Sequence, residues 1–307
     1  MPANFLKILL GFILGTLSFG GFIVNLIVVV PVFRFAFLQN KSPIYLLSFI
    51  NIIIDIANLL MTTFYLAPSI IIDTYFFSDE KAGTVPVIMG SLFMFFWYLG
   101  SITQIVMAVN RLTVIHFRRH DLFLRKNIWY MYSAITPICL VLMSLSQYGF
   151  PCCAFVFDHK FLSYSYNWMD EVENYSNKFI DLPLNFASTA TAMICYAVIV
   201  WTVRKTTKTI ALTLRKPTKN REFAYAIQFF FISIFYTFAW ITFRVFPMLI
   251  GGGRPEWFIV ISMAVVLNNT ANALVYLISN KEVLKNLRSS GLNLFTRSSS
   301  SQVAPVI

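Results

Sequence analysis

The chain has 307 residues, of which 58% are hydrophobic and 12% charged, with a mean hydropathy of +0.70 and a formal net charge of +11. A soluble domain carries about 25% charged residues, so this composition excludes one and places the chain in a membrane. The basic excess would suit a nucleic-acid partner, but the charges lie in alternate loops between apolar runs, which excludes that reading too.

A hydrocarbon core of roughly 30 Å needs about 20 mainly apolar residues per helix, whereas a β-barrel shows short alternating segments, which are not found here. Seven apolar runs lie at about 8–33, 44–72, 86–115, 128–150, 182–203, 223–250 and 256–279. They predict an all-α membrane fold, a bundle of seven spanning helices, and the runs near 30 residues imply tilt or projection beyond the hydrocarbon. The first run is long and has no small-residue cleavage signature behind it, so it is expected to be a retained helix rather than a signal peptide. After the seventh run, residues 280–287 form a short basic amphipathic stretch. It predicts an eighth helix lying on the membrane through Val283, Leu284 and Leu287. The spanning domain is thus expected over residues 1–288, with 289–307, which contains Ser298 to Ser301, as a disordered tail.

Of the 24 Lys and Arg residues, 18 fall after the first, third, fifth and seventh runs, among them Arg34, Lys41, Arg118, Arg204, Lys208, Arg215, Lys219, Arg221 and Lys285. The other side holds Asp73, Asp79, Glu80, Asp158, Asp170, Glu171, Glu173, Asp181 and Glu256. By the positive-inside rule the N-terminus is outside and the C-terminus cytoplasmic. The basic loops then face anionic lipid and whatever protein docks there.

Polar groups inside the runs need their own account, because a charge at mid-bilayer costs at least ~2.5 kcal/mol on insertion scales. Asp55 in the second run has Asn51 and Asn58 about a turn away, and Asn25 of the first run and Asn268 and Asn272 of the seventh are its expected partners. Such a network either ties helices together or, satisfied in more than one way, serves as a switch. Asn110-Arg111 ends the third run, where Arg111 is a snorkelling anchor or a side chain that reaches the sixth helix in one state and a protein partner in another. Pro247 in the sixth run removes a backbone bond and kinks the helix. Arg244, just before it, is a cation deep in the membrane that pairs with a helix carbonyl, with Asp55 or with an anionic ligand group.

Phe93, Phe96 and Trp97 in the third run, Arg244 in the sixth and Trp257 in the seventh are candidates for a ligand pocket between helices three, five, six and seven. No acid stands in the outer half of the third run, which favours a volatile or lipid-like ligand over a polar amine. Four cysteines are too few for a scaffold; Cys139 and Cys195 fall within apolar runs, and Cys152 and Cys153 have no evident partner. Asn174-Tyr175-Ser176 is a glycosylation sequon on the expected outer side. No catalytic constellation, metal-ligand spacing or Gly-rich phosphate loop is present, so the sequence predicts no enzyme, no metal and no cofactor, and the seventh run has no Lys for a Schiff base.

Asn25, Asp55, Asn110-Arg111, Pro247 and Asn272-x-x-x-Tyr276, in seven helices, resemble the rhodopsin-like G-protein-coupled receptors over almost the whole chain. The Asn-Arg ending of the third run, the segment Arg221 to Phe229 and the stretch Trp240 to Pro247 resemble more closely the nematode serpentine chemoreceptors of class x or class xa. The resemblance implies detection of a small-molecule odorant or pheromone at the plasma membrane of a sensory cilium and relay to a heterotrimeric G protein. It makes Asn25, Asp55, Asn110, Arg111, Pro247, Asn268, Asn272 and Tyr276 an activation switch, and Arg111, Arg118, Arg204, Lys208, Arg215, Lys219 and Arg221 a G-protein contact. The chain departs from the superfamily where the outer cysteine of helix three, the aromatic before the helix-six proline and the helix-seven proline are absent; Val245 and Ala273 hold the last two places. A seven-helix ligand-gated sensory channel is the main alternative, expected with inverted topology. A secondary transporter would show repeated halves and broken helices, neither of which is seen.

Overall fold

A computed structural model describes residues 3–78, 80–119, 121–167, 172–210, 219–250 and 254–289. Nine helices are present among them: α1 Ala3–Phe33, α2 Pro43–Met61, α3 Ala67–Ile72, α4 Thr84–Ile115, α5 Arg125–Ser144, α6 Leu182–Ile210, α7 Lys219–Ile250, α8 Ile259–Ser279 and α9 Lys281–Ser289. With the wider turns that adjoin them, they make seven helices long and apolar enough to span a membrane. Two begin and end with recognisable chemistry. Ser42 is extended and Pro43 opens α2, a position where its missing N–H costs nothing. Asp73 takes the left-handed conformation (φ 60°) that stops α3. The second span is α2 and α3 joined through a π-turn, Thr62–Leu66, just ahead of Pro68, whose missing N–H leaves the regular ladder one bond short.

The third span, α4, lies at the centre, against α2, α5 and α6, while α8 packs on α1, α2 and α7. The spans start earlier than the apolar runs suggest, because hydropathy stops at the first polar residues whereas helices project past the hydrocarbon. One such difference is consequential. The fifth span begins with a π-turn, Asn177–Asp181, so that Asp181, expected in a loop, is drawn into the bundle.

Between the fourth and fifth spans a hairpin folds across one end of the bundle. Its strands β1, Phe155–Asp158, and β2, Ser163–Tyr166, are antiparallel, with Phe155 opposite Tyr166 and Asp158 opposite Ser163. All four residues of β1 are buried. Gly90 of α4 permits this, since a Cβ there would stand 1.9 Å from the Phe155 carbonyl oxygen. Gln147 then fixes the strand: its amide oxygen accepts the Phe155 N–H at 2.7 Å and its Nε2 donates to the Phe155 carbonyl at 3.1 Å.

The far end carries α9. Asn280 caps it by accepting the N–H groups of Glu282 and Val283 at 3.1 and 3.2 Å. The expected surface helix is therefore present, but Val283 is fully buried and Leu287 packs on the core, so much of its apolar face is spent on the bundle rather than on lipid. Tyr45 donates to Glu282 at 2.8 Å and Lys41 lies 3.6 Å from it, which ties α9 to the start of α2. The proposed tail from residue 290 onward lies outside the described residues.

Candidate functional site: an aromatic cavity above a polar core

Beneath the hairpin a hollow with about 330 Å³ of space between atoms is lined by Phe93, Met94 and Trp97 of α4, Phe155 and Tyr164 of the hairpin, Asp181, Trp240 and Phe243 of α7, and Val265 of α8. Side chains crowd it, leaving room for a water-sized body over only about 20 Å³, roughly what one water needs. Phe93 stacks on Tyr164 at 4.4 Å and on Phe155 at 5.5 Å, so the hairpin supplies rings that fill the cavity as well as a roof.

Its polar wall is a chain of hydrogen bonds. Arg244 Nη2 donates to Asp181 Oδ2 at 3.0 Å, and Asn185 Nδ2 to Asp181 Oδ1 at 2.8 Å. Asn185 Oδ1 in turn accepts from Trp97 Nε1 at 3.0 Å and lies 2.5 Å from the Tyr236 hydroxyl, which is 2.6 Å from Ser101 Oγ. Three spans, α4, α6 and α7, thus meet at Asn185, whose amide is held by the carboxylate that faces the cavity. Arg244 pairs with Asp181, not with Asp55 or a helix carbonyl, because the fifth helix begins a turn early. Pro247 cannot donate to the carbonyl of Phe243, so the α7 ladder is loosened where Phe243 lines the cavity and beside Arg244; the helix itself continues to Ile250.

Phe93 and Trp97 therefore stand in the cavity wall, and Arg244 one bond behind it. Phe96 does not; it is half-buried against Phe95. Trp257 is 51% exposed and lines a separate shallow groove with Phe246, Ile250 and Arg254. Aromatic character drew attention to Phe96 in the third run and to Trp257 at the opening of the seventh, but helical rotation, which sequence spacing resolves poorly, turns them away.

A second polar assembly lies deeper. Asp55 Oδ2 accepts from Asn272 Nδ2 at 2.5 Å and from Asn51 Nδ2 at 3.2 Å. Asn25 does not reach Asp55; it donates to the carbonyls of Gly21 and Asn269 at 2.9 and 3.0 Å. Asn268 donates to Asn269 Oδ1 at 3.3 Å, so Asn269, which the sequence did not single out, is the joint between Asn268 and Asn25. The amide oxygens of Asn25, Asn58, Asn268 and Asn272 are buried with no partner among the described residues, capacity that a different pairing could use. Toward α9, Tyr276 and Ser48 share a hydrogen bond; the Ser48 proton goes to the Ile44 carbonyl at 2.8 Å, so Tyr276 is the donor.

Asn110 and Arg111 close this column at the end of α4, and both are buried, at 3% and 2% exposure. Arg111 lies within electrostatic reach of Tyr196 of α6. It is enclosed rather than snorkelling. Arg118 and Arg204 are exposed at the same end, Lys208 lies on α6, Lys219 and Arg221 lie on α7, and Arg215 falls outside the described residues.

On the hairpin end, Asp158 takes Lys81 at 2.7 Å, Tyr75 at 3.2 Å and Ser165 at 3.0 Å. Burial alone would push its carboxyl up, but Lys81, the Lys160 backbone N–H and Ser165 outweigh burial and hold it below the ordinary carboxylate value. His159 is 4% exposed, and burial, aided by Lys7, pushes its imidazole below the usual value against the pull of Asp73 and Asp158. Cys152 and Cys153 are bonded to each other at the foot of the hairpin, so the missing partner of each is its neighbour. Asn174 is 4% exposed and its side-chain oxygen accepts the Asn177 N–H at 2.9 Å. That counts against glycosylation there, because the amide nitrogen a glycan would need is enclosed by protein.

The hairpin, the cavity's hydrogen-bonded wall and much of the hairpin-end cluster were not foreseen. A signal for the hairpin was present: Phe155-Val-Phe-Asp158 and Ser163-Tyr-Ser-Tyr166 are strand-forming runs separated by four residues.

The bundle of seven spanning helices has the rhodopsin fold. Among solved structures, squid rhodopsin superposes with a TM-score of 0.74 at 16% identity, covering 95% of this chain and 87% of that one. The sequence model described as serpentine type 7TM GPCR chemoreceptor Srx matches residues 16–280, and the chain belongs to that family. Membership settles the choice between class x and class xa in favour of class x, makes the chain a multi-pass membrane receptor rather than an enzyme, and gives it a ligand and a G protein as partners in general terms. The search of curated proteins returns no match.

Proposed function

We propose that this receptor detects a small odorant or pheromone in the cavity beneath the hairpin and activates a heterotrimeric G protein at the opposite, basic end. The hairpin and the N-terminus lie outside and the C-terminus in the cytoplasm, at the plasma membrane of a sensory cilium. The observation that carries the reading is the run Arg244–Asp181–Asn185–Trp97/Tyr236, which faces the cavity and joins α4, α6 and α7. A ligand that engages Asp181 alters the carboxylate that holds Asn185, the amide at which these helices meet. Binding better when α7 has swung, it shifts the population toward a state in which Arg111 is uncovered. Arg111, Arg118, Arg204 and the basic residues from Lys208 to Arg221 then receive the G protein, while anionic lipid holds the remaining basic charge.

The test is nucleotide exchange on a panel of Gα subunits by the protein in nanodiscs, challenged with odorant and pheromone pools beside Arg111→Glu. Exchange that rises with a pool and vanishes in the variant supports the reading. A ligand-evoked conductance without exchange in the same membranes refutes it in favour of a channel.

A further inference from the structure

Resting on the receptor reading above, the chemistry of the cavity narrows the ligand to a class. We infer that it is a neutral molecule with a single aromatic ring and one hydroxyl, a simple phenol being the type. Three observations converge on this.

The first is charge. Asp181 is the one ionisable acid or base among the described lining residues besides the tyrosine, and Arg244 already neutralises it at 3.0 Å. A cationic ligand would leave this enclosed site with a net positive charge and an anionic one with a net negative charge, each with no counter-charge to hand; a neutral ligand leaves the pair intact.

The second is hydrogen-bonding capacity. A carboxylate offers about four lone-pair sites, and Asp181 uses one on each oxygen, for Asn185 and Arg244. Trp240 Nε1 is buried with no acceptor among the described residues. The wall therefore offers one acceptor and one donor, and a hydroxyl is the smallest neutral group that answers both.

The third is shape and size. The remaining lining is Phe93, Met94, Trp97, Phe155, Tyr164, Phe243 and Val265, with Phe93 already stacked on Tyr164. With free room for about 20 Å³, the cavity admits a guest only by exchanging it for a hairpin ring, so the guest is about the size of the ring it replaces. Tyr164 is itself a tethered phenol: its hydroxyl is 3.0 Å from that of Thr62, and the ligand takes over its stacking on Phe93.

The experiment compares phenol, toluene, benzylamine and benzoate at neutral pH by saturation-transfer NMR on the full chain in nanodiscs, with empty nanodiscs subtracted. The four share a ring and differ in charge and donor. Phenol is expected to bind at least tenfold more tightly than the other three. Trp240→Phe, and separately the charge-neutral pair Asp181→Asn with Arg244→Gln, should each shrink the ratio of phenol to toluene affinity several-fold; Trp240→Phe keeps the test alive if the pair variant does not fold. Benzylamine or benzoate binding best, toluene equalling phenol, or none of the four binding overturns the inference. The readout needs no G protein, so phenol bound without nucleotide exchange would support the ligand class and count against the signalling reading alone.

Discussion

Separating Arg244 from Asp181 should be among the most damaging single changes in the molecule. Their side chains are 19% and 6% exposed, so solvent screens the pair little. Removing one partner of a buried pair typically costs about 3–5 kcal/mol, because the other charge is left enclosed. Arg244→Gln leaves Asp181 with Asn185 as its donor, and Asp181→Asn leaves the guanidinium with no anion. Replacing both at once removes both charges and keeps hydrogen-bonding groups in place, so the double variant should lie within about 1 kcal/mol of the parent. The expected coupling is thus large and favourable to the double variant, close to the sum of the two single-variant losses, about 5–9 kcal/mol in magnitude. Thermal unfolding of the four proteins in nanodiscs, followed by tryptophan fluorescence, should place the parent and double variant together and both single variants several degrees lower. Single variants that melt with the parent, or a double variant whose loss is the sum of the two, would refute the idea that these charges compensate each other in a dry site.

Other consequences can be checked independently. Gly90→Ala puts a methyl into the Phe155 carbonyl and should cost about 1–3 kcal/mol, seen as faster hydrogen exchange across 155–166 with α8 unchanged. Asn280→Ala removes the α9 cap, worth about 1 kcal/mol, and should raise exchange over 281–289 specifically. Acid should loosen the hairpin. The His159 imidazole is depressed in the fold, so below the unfolded value of about 6.5 the open form takes up a proton that the closed form refuses, and closure weakens as pH falls. The Asp158 carboxyl, also depressed, adds its loss at lower pH, as it becomes protonated. His159→Gln should abolish the first phase of protease sensitivity at 155–166 and keep the second. Finally, endoglycosidase treatment of the protein from eukaryotic cells should leave its mobility unchanged, and so should Asn174→Gln.

The seven spans were legible because membrane insertion demands long apolar runs, and that demand outweighs every local preference. Asp55, Asn272 and Tyr276 were legible because polar groups are rare in such runs and their helical spacing is fixed. Asp181 was not. It stands at the edge of an apolar run, where hydropathy cannot distinguish a loop acid from one carried inward by an extra helical turn, and its partner Arg244 is 63 residues away. The hairpin was lost for a related reason: a four-residue strand buried on both faces leaves no strong alternation. Phe96 and Trp257 show the opposite failure, since aromatic residues on the outer part of a span suit both lipid and a pocket, and only helix rotation decides.

The effect of ligand in the cavity should reach the basic end through α7. Spin labels at Arg119→Cys on the segment after α4 and Lys219→Cys at the start of α7, in nanodiscs, measure it directly by pulsed dipolar spectroscopy. With an activating pool and nucleotide-free Gα the distance distribution should gain a longer population, and Arg244→Gln should weaken the response to the pool. An unchanged distribution with ligand and Gα both bound would contradict the account.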